Sequence, residues 1–341
     1  MQAAGVRAVV DSKSIAVVGL VEVIAHIPRI YGEFRKLKKA IVAETPDVAV
    51  LTDAPDFNLR LAKFLRRRGV PVVYLIAPQA WAWRQGRVKV LRANVRRLLS
   101  IFPFEQEFFE KHGVPTTYIG HPLARMVKPS LTREEFCAKF NIPAGKNIVV
   151  LLPGSRVGEI ERHLGDLVDA SKRLADANRV FLLALAGGFG NTFSERISGS
   201  SIQVIDDAVV ENRTWDALAH AEMALAASGT VTIEAALLGC PMVTFYKVNA
   251  LSWILGRWLV KAPYLSMVNL VAGRKIVPEL IQGDMTGERI ANEAAFLMSD
   301  AVALQEMRVN LKEVAAKLAS DDDPMEIAAG WVERVCREGR E

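Results

Sequence analysis

Short runs of consecutive apolar residues alternate along this chain with longer stretches in which apolar positions recur at helical spacing. The runs fall at Val48–Leu51, Val72–Ile76, Leu98–Ile101, Thr117–Ile119, Ile148–Leu152, Val180–Ala184, Ile202–Ile205, Met223–Ala226 and Met242–Phe245. Their near-continuous apolar character predicts strands covered on both faces. Helices are predicted between them, as at Leu59–Arg68, Phe104–His112, Ile160–Ala177, Thr214–Ala219 and Val231–Leu238. This alternation implies an α/β fold of parallel sheets flanked by helices. The stretch from Arg125 to Lys146 is charged, irregular and poor in strand signal, which places a domain joint near Pro143-Ala144-Gly145. The expected organisation is two Rossmann-like domains, 1–145 and 146–324, facing a central cleft, with a last segment, 325–341, packing back on the first domain. Asp321-Asp322-Asp323-Pro324 reads as a turn and N-cap before a helix Met325–Arg337. A Rossmann-like domain opens with a buried strand, a glycine loop and a helix. Residues before Val48 offer only weak strands near Val6–Val10 and Ile15–Val18, so the first domain is expected to lack its opening βα unit.

Of 341 residues, 51% are apolar and 24% charged, a composition that excludes disorder as the main state. The three widely spaced cysteines form no CxxC pair, which argues against a disulfide framework and fits a reducing cytoplasm. No uncharged apolar run is long enough to span a membrane, and the opening residues do not read as a signal peptide. The net charge of +5 hides an asymmetry. Residues 1–145 hold 23 Lys and Arg against 12 Asp and Glu, whereas the rest holds 20 against 26. The basic half is therefore expected to meet something anionic. A helix over Pro28–Glu44, with Ile30, Phe34, Leu37 and Ile41 on one stripe and four cations nearby, suits an anionic membrane surface, as does Trp253–Lys261. Arg66-Arg67-Arg68 and the Arg84–Arg97 cluster add to that surface. No nucleic-acid recognition module is present, and the five histidines show no metal-ligand spacing.

Four segments pair the end of a predicted strand with reactive or ligand-binding side chains, and ligands in open α/β sheets bind there. Asp53, in Asp53-Ala54-Pro55-Asp56-Phe57-Asn58, is a candidate general base for a hydroxyl, with helix capping by Asp53 or Asp56 as the alternative. Trp81, Trp83 and Arg84 form an aromatic and cationic loop tip that suits a sugar face or an acyl chain, or else packs the core. In Pro153-Gly154-Ser155-Arg156, Gly154 lets the backbone approach a phosphate, Ser155 donates and Arg156 can clamp a diphosphate. In Ser228-Gly229-Thr230, a small-residue turn enters a helix whose free N–H groups favour phosphate. Glu234, one turn further, is placed to accept from a ribose diol.

Together these motifs carry a resemblance. DAPDFN, PQAWAWR, FPFE (Phe102–Glu105), IGHPLA (Ile119–Ala124), LPGSR with Glu159-Ile160, ASGT with Thr232, Glu234 and Ala235, PMV with Tyr246, SMVNLVAGR and VPELIQ stand in the order found in the lipid-A-disaccharide synthase family. That family is similar to the two-domain GT-B type of glycosyltransferase. The resemblance implies a cytoplasmic enzyme, peripheral to the inner membrane of a Gram-negative bacterium. It implies that UDP-2,3-diacylglucosamine is joined to 2,3-diacylglucosamine 1-phosphate with inversion and a β-1,6 linkage. It implies no cofactor or metal, allows a homo-oligomer, and adds Asn269 and Gln282 as donor-site residues. The family's opening strand and Gly-Glu-Ser/Thr-Ser-Gly-Asp-like loop have no counterpart here. The alternatives are another UDP-sugar enzyme of the same fold, or a catalytically impaired form that binds UDP-sugar or lipid.

Overall fold

The computed structural model describes residues 5–10, 20–185, 192–206, 213–249, 253 and 262–339. Four strands, β1 (Ala49–Thr52), β2 (Val72–Leu75), β3 (Arg97–Ser100) and β4 (Thr116–Tyr118), form a parallel sheet in sequence order. β5 (Asn147–Leu152), β6 (Arg179–Leu185), β7 (Ile202–Asp206), β8 (Met223–Ala227), β9 (Met242–Tyr246) and β10 (Glu279–Ile281) form a second, in the order β10-β9-β8-β5-β6-β7. Every pairing in both sheets is parallel. The order reverses between β5 and β8, the switch point beside which ligands bind in doubly wound sheets.

The nine predicted strands are present within a residue or two of their predicted ends. Most are buried on both faces, whereas the edge strand β1 exposes Val50 and Thr52. Asn147–Leu152 and Met223–Ala227 are buried almost throughout. β10 was not predicted. It is three residues long and opens on Glu279, so it has no apolar run to betray it.

In the first half, α1 (Leu20–Ala43) leans Phe34, Leu37 and Ile41 on the core around α2 (Pro55–Arg67). α1 is longer than predicted and carries Pro28 in its interior instead of at its start. α3 (Gly86–Asn94) and α4 (Pro103–Lys111) follow β2 and β3. Residues 6–10 form no strand, and the expected strand at Ile15–Val18 lies outside the described residues. The stretch 125–146, expected to be irregular, is partly helical. It holds the end of α5 (Leu123–Met126) and α6 (Arg133–Lys139), the latter opened by a reciprocal cap between Thr132 and Glu135.

The second sheet is covered by α7 (Val157–Leu174), α8 (Ser194–Ile197), α9 (Arg213–His220), α10 (Thr230–Leu237), α11 (Met267–Ala272), α12 (Gly287–Ser299) and α13 (Ala301–Leu318). The chain then returns to the first sheet. Asp323 Oδ1 accepts from Met325 N at 2.7 Å and opens α14 (Pro324–Glu338). The Trp331 ring lies under the Arg97 guanidinium, 4.0 Å from its centroid, and Glu338 pairs with Arg96 at 3.1 Å. Tyr118 Oη also donates to Lys317 O at 2.7 Å. No helix among the described residues is long and apolar enough to cross a membrane.

Candidate active site

The loop after β5 is built around Glu159, in the first turn of α7. Gly154 has φ +121°, a conformation side chains rarely adopt. A Cβ there would stand 2.7 Å from Glu159 Oε2 and 2.9 Å from Glu159 Cβ. The close approach that requires glycine is thus made by a carboxylate of this chain. Ser155 N donates to Glu159 Oε2 at 3.2 Å and Arg156 Nη1 to Oε1 at 3.1 Å. Ser155 and Arg156 are exposed, whereas Glu159 is buried.

One turn along α7, the fully buried His163 ties this loop to the end of β9. Its Nδ1 meets Pro153 O at 2.7 Å, and its Nε2 accepts from Lys247 N at 3.1 Å. These two bonds require the neutral ring, and burial lowers its pKa accordingly. Gln282, in a left-handed conformation (φ +55°), grips the next residue: Val248 N donates to its Oε1 at 2.6 Å, and its Nε2 donates to Val248 O at 3.2 Å.

The loop after β8 is held from a different direction. Ser228 Oγ donates to Leu265 O at 3.0 Å, and Thr232 Oγ1 to Gly229 O at 2.7 Å. Gly229 and Thr230 are exposed at the start of α10, and a Cβ at Gly229 would meet nothing within 4 Å. Glu234 Oε2 accepts from Trp215 Nε1 at 2.9 Å, which fixes the carboxylate from α9. Asn269 is fully buried and wholly engaged. Its Nδ2 donates to Val277 O (3.0 Å) and Glu279 Oε1 (2.8 Å), and its Oδ1 accepts from the N–H groups of Ile276 (2.8 Å) and Val277 (3.0 Å). Glu279 in turn accepts from Leu265 N at 3.0 Å and Ser266 N at 2.9 Å. Asn269 and Glu279 therefore shape the loop on which Ser228 rests.

The carboxyl ends of the first sheet carry the other candidates. Asp53 and Ala54 both adopt left-handed conformations (φ 53° and 38°) between β1 and α2. Neither Asp53 nor Asp56 caps α2. Asn58 Nδ2 instead holds Thr52 O and Asp53 O, both at 2.8 Å, and Tyr74 Oη donates to Asp53 O at 2.7 Å. The backbone of Asp53 is thus pinned while its side chain is exposed. Asp56 pairs with Arg87 at 2.7 Å and Arg84 at 3.1 Å, and both guanidiniums lie over the Trp83 ring, 4.8 and 4.7 Å from its centroid. Trp81 turns inward: its Nε1 donates to Glu105 Oε1 at 3.0 Å, and its ring meets Phe104 edge-on at 5.0 Å. His121, buried on the Phe102 ring, has its pKa lowered by burial to about 4 and accepts from Leu123 N through Nδ1.

The structure thus gathers Arg156 with Ser155 and Gly154, Ser228 with Gly229 and Thr230, and Trp83 with Arg84, each at a strand's carboxyl end. The sequence reading missed the residues that hold these groups: Glu159, His163, Trp215, Glu279, Glu105 and Arg87. Their partners lie on other elements, except that Glu159 stands one helical turn from the loop it organises. Trp253–Lys261 falls outside the described residues apart from Trp253. Two arginine-lined cavities, about 360 and 410 Å³, open at the amino ends of the strands, away from all these loops.

Residues 1–325 match the family model described as Lipid-A-disaccharide synthetase. The chain is 57% identical over 321 residues to the lipid-A-disaccharide synthase of Solibacter usitatus, covering 94% of this chain and 83% of that protein. It is 43% identical over 323 residues to that of Koribacter versatilis, with the same coverage. Among solved structures, it is similar to Staphylococcus aureus MnaA with UDP (TM-score 0.62, 13% identity, 92% of this chain and 80% of that one). It is also similar to the glycotransferase of kitacinnamycin (TM-score 0.60, 16% identity, 94% and 85%). These likenesses show the two-domain GT-B fold, and the chain belongs to the lipid-A-disaccharide synthase family.

Proposed function

We propose that this protein is a hexosyltransferase that joins UDP-2,3-diacylglucosamine to 2,3-diacylglucosamine 1-phosphate, releasing UDP and the β-1,6-linked disaccharide 1-phosphate. The observation that carries the reading is the family match over residues 1–325, at 57% identity to a relative of that name. In the reaction the acceptor 6-hydroxyl oxygen attacks the donor anomeric carbon, the bond from that carbon to the diphosphate oxygen breaks, and the configuration inverts. Asp53 takes the hydroxyl proton. Its pinned backbone and exposed carboxylate at the end of β1 support that role.

Arg156 and the backbone N–H groups of Ser155 and Thr230 receive the charge that develops on the leaving diphosphate. Glu234, steadied by Trp215, binds the ribose. Asn269 and Gln282 serve the donor site by shaping its loops, as their bonds to residues 276–279 and to Val248 indicate. Arg84, half-exposed and stacked on the Trp83 ring, offers the acceptor a cation. Peripheral contact with the inner membrane is supported by α1, which exposes Ile27, Tyr31 and Val42 among Arg29, Arg35, Lys36 and Lys39.

The test is turnover by the purified chain with both diacylated substrates. Disaccharide 1-phosphate and UDP in equal amounts support the reading. UDP binding without disaccharide, or interconversion of the free UDP-sugar, contradicts it.

A further inference from the structure

The space a phosphate would use beside Gly154 is filled in this structure by the Glu159 carboxylate, held by donors that a diphosphate also needs. Ser155 N–H and the Arg156 guanidinium both point to it, at 3.2 and 3.1 Å, and the Tyr246 hydroxyl lies 3.5 Å from Oε1. A carboxylate and a phosphate carry the same sign and seek the same N–H groups, so they compete. We propose that Glu159 is a built-in competitor of the donor's diphosphate: Arg156 and the Ser155 N–H exchange from its carboxylate to phosphate when nucleotide binds, and return to it as UDP leaves. This inference rests on the reading of the 153–156 loop as the diphosphate site.

The packing decides which groups exchange. α7 cannot shift to withdraw Glu159, because His163 one turn later bonds both Pro153 O and Lys247 N. Lys247 is fastened to the same helix again through Asp166 at 3.3 Å. The Arg156 side chain is 62% exposed, against 11% for Glu159. The helix backbone is therefore fixed and the side chains make the exchange: Arg156 swings to the phosphate, and the Glu159 carboxylate turns aside from the Ser155 N–H. The consequence is that UDP is held less tightly than the loop's donors alone would hold it, which speeds its release.

The experiment is calorimetric titration of the full chain with UDP and with uridine, for wild type, Glu159→Gln, Glu159→Ala and Arg156→Ala. Gln keeps the shape and an oxygen for Ser155 N–H, so the loop stays folded, and Ala is the independent check. Both Glu159 variants are expected to bind UDP about two- to fivefold tighter, the scale of one partly exposed ion pair. Their affinity for uridine, which lacks the diphosphate, should not change. Unchanged or weaker UDP binding in both overturns the proposal and makes Glu159 a support for Arg156. Arg156→Ala separates the two levels: if it leaves UDP affinity untouched, the diphosphate-site reading itself fails. If it weakens UDP while the Glu159 variants do not tighten it, only the competitor role falls.

Discussion

Trp81 and Glu105, 24 residues apart, meet in the interior of the first domain, where the indole Nε1 donates to the Glu105 carboxyl at 3.0 Å. Glu105 is almost fully buried, and Phe102 N also donates to it at 3.3 Å. Burial raises its pKa to about 8, against the lowering effect of these two bonds. In the unfolded chain the same group ionises near 4.5. The folded state therefore holds this proton more tightly, and the stability linked to it is full below about 4.5 and lost as pH rises to about 8. The Tm of Glu105→Gln should accordingly gain on wild type as pH rises from 5 to 8. A constant difference across that range would show that burial does not control this carboxyl.

Asn269 is buried and braces residues 276–279 with all four of its side-chain hydrogen bonds, so its loss should appear first in stability. Asn269→Ala strands the N–H groups of Ile276 and Val277 in the interior, at about 1–3 kcal/mol for each buried group left without a partner. Chemical denaturation should show a large drop in the unfolding midpoint together with weaker UDP binding. A variant of wild-type stability that merely binds UDP poorly would instead make Asn269 a ligand.

Gly154→Ala sets a Cβ against Glu159 in a left-handed conformation, which costs about 1–3 kcal/mol for the backbone alone. The loop is expected to shift, with UDP binding weakened at least tenfold. Full affinity would mean that the backbone path of the 153–156 loop does not matter for the diphosphate.

On the proposed reading, Arg156→Ala removes a donor to the leaving diphosphate, an interaction of about 3–4 kcal/mol in comparable sites. Turnover should fall by two to three orders of magnitude, while the melting curve stays near that of wild type because Arg156 is exposed. Near-normal turnover removes Arg156 from the site.

Part of the fold and of the site is legible in the sequence, and part is not. Strands such as Asn147–Leu152 were legible because burial on both faces writes an apolar run. β10 and α11 were not, since a three-residue strand led by Glu279 and a six-residue helix around the buried polar Asn269 break that pattern. Gly154, Arg156 and Glu234 could be placed at strand ends by order alone. What positions them could not, because Trp215 reaches Glu234 from α9 and Glu279 reaches Leu265 from β10. Glu159 stood in plain view next to Arg156, yet only φ +121° at Gly154 shows that the glycine makes room for that carboxylate.

The most direct test of the account is a split measurement on Asp53→Asn: the UDP-sugar dissociation constant beside the turnover number. If the second domain holds the donor while Asp53 deprotonates the acceptor, the dissociation constant stays within about threefold of wild type and turnover falls by about two to four orders of magnitude. Turnover close to wild type would contradict that division of labour.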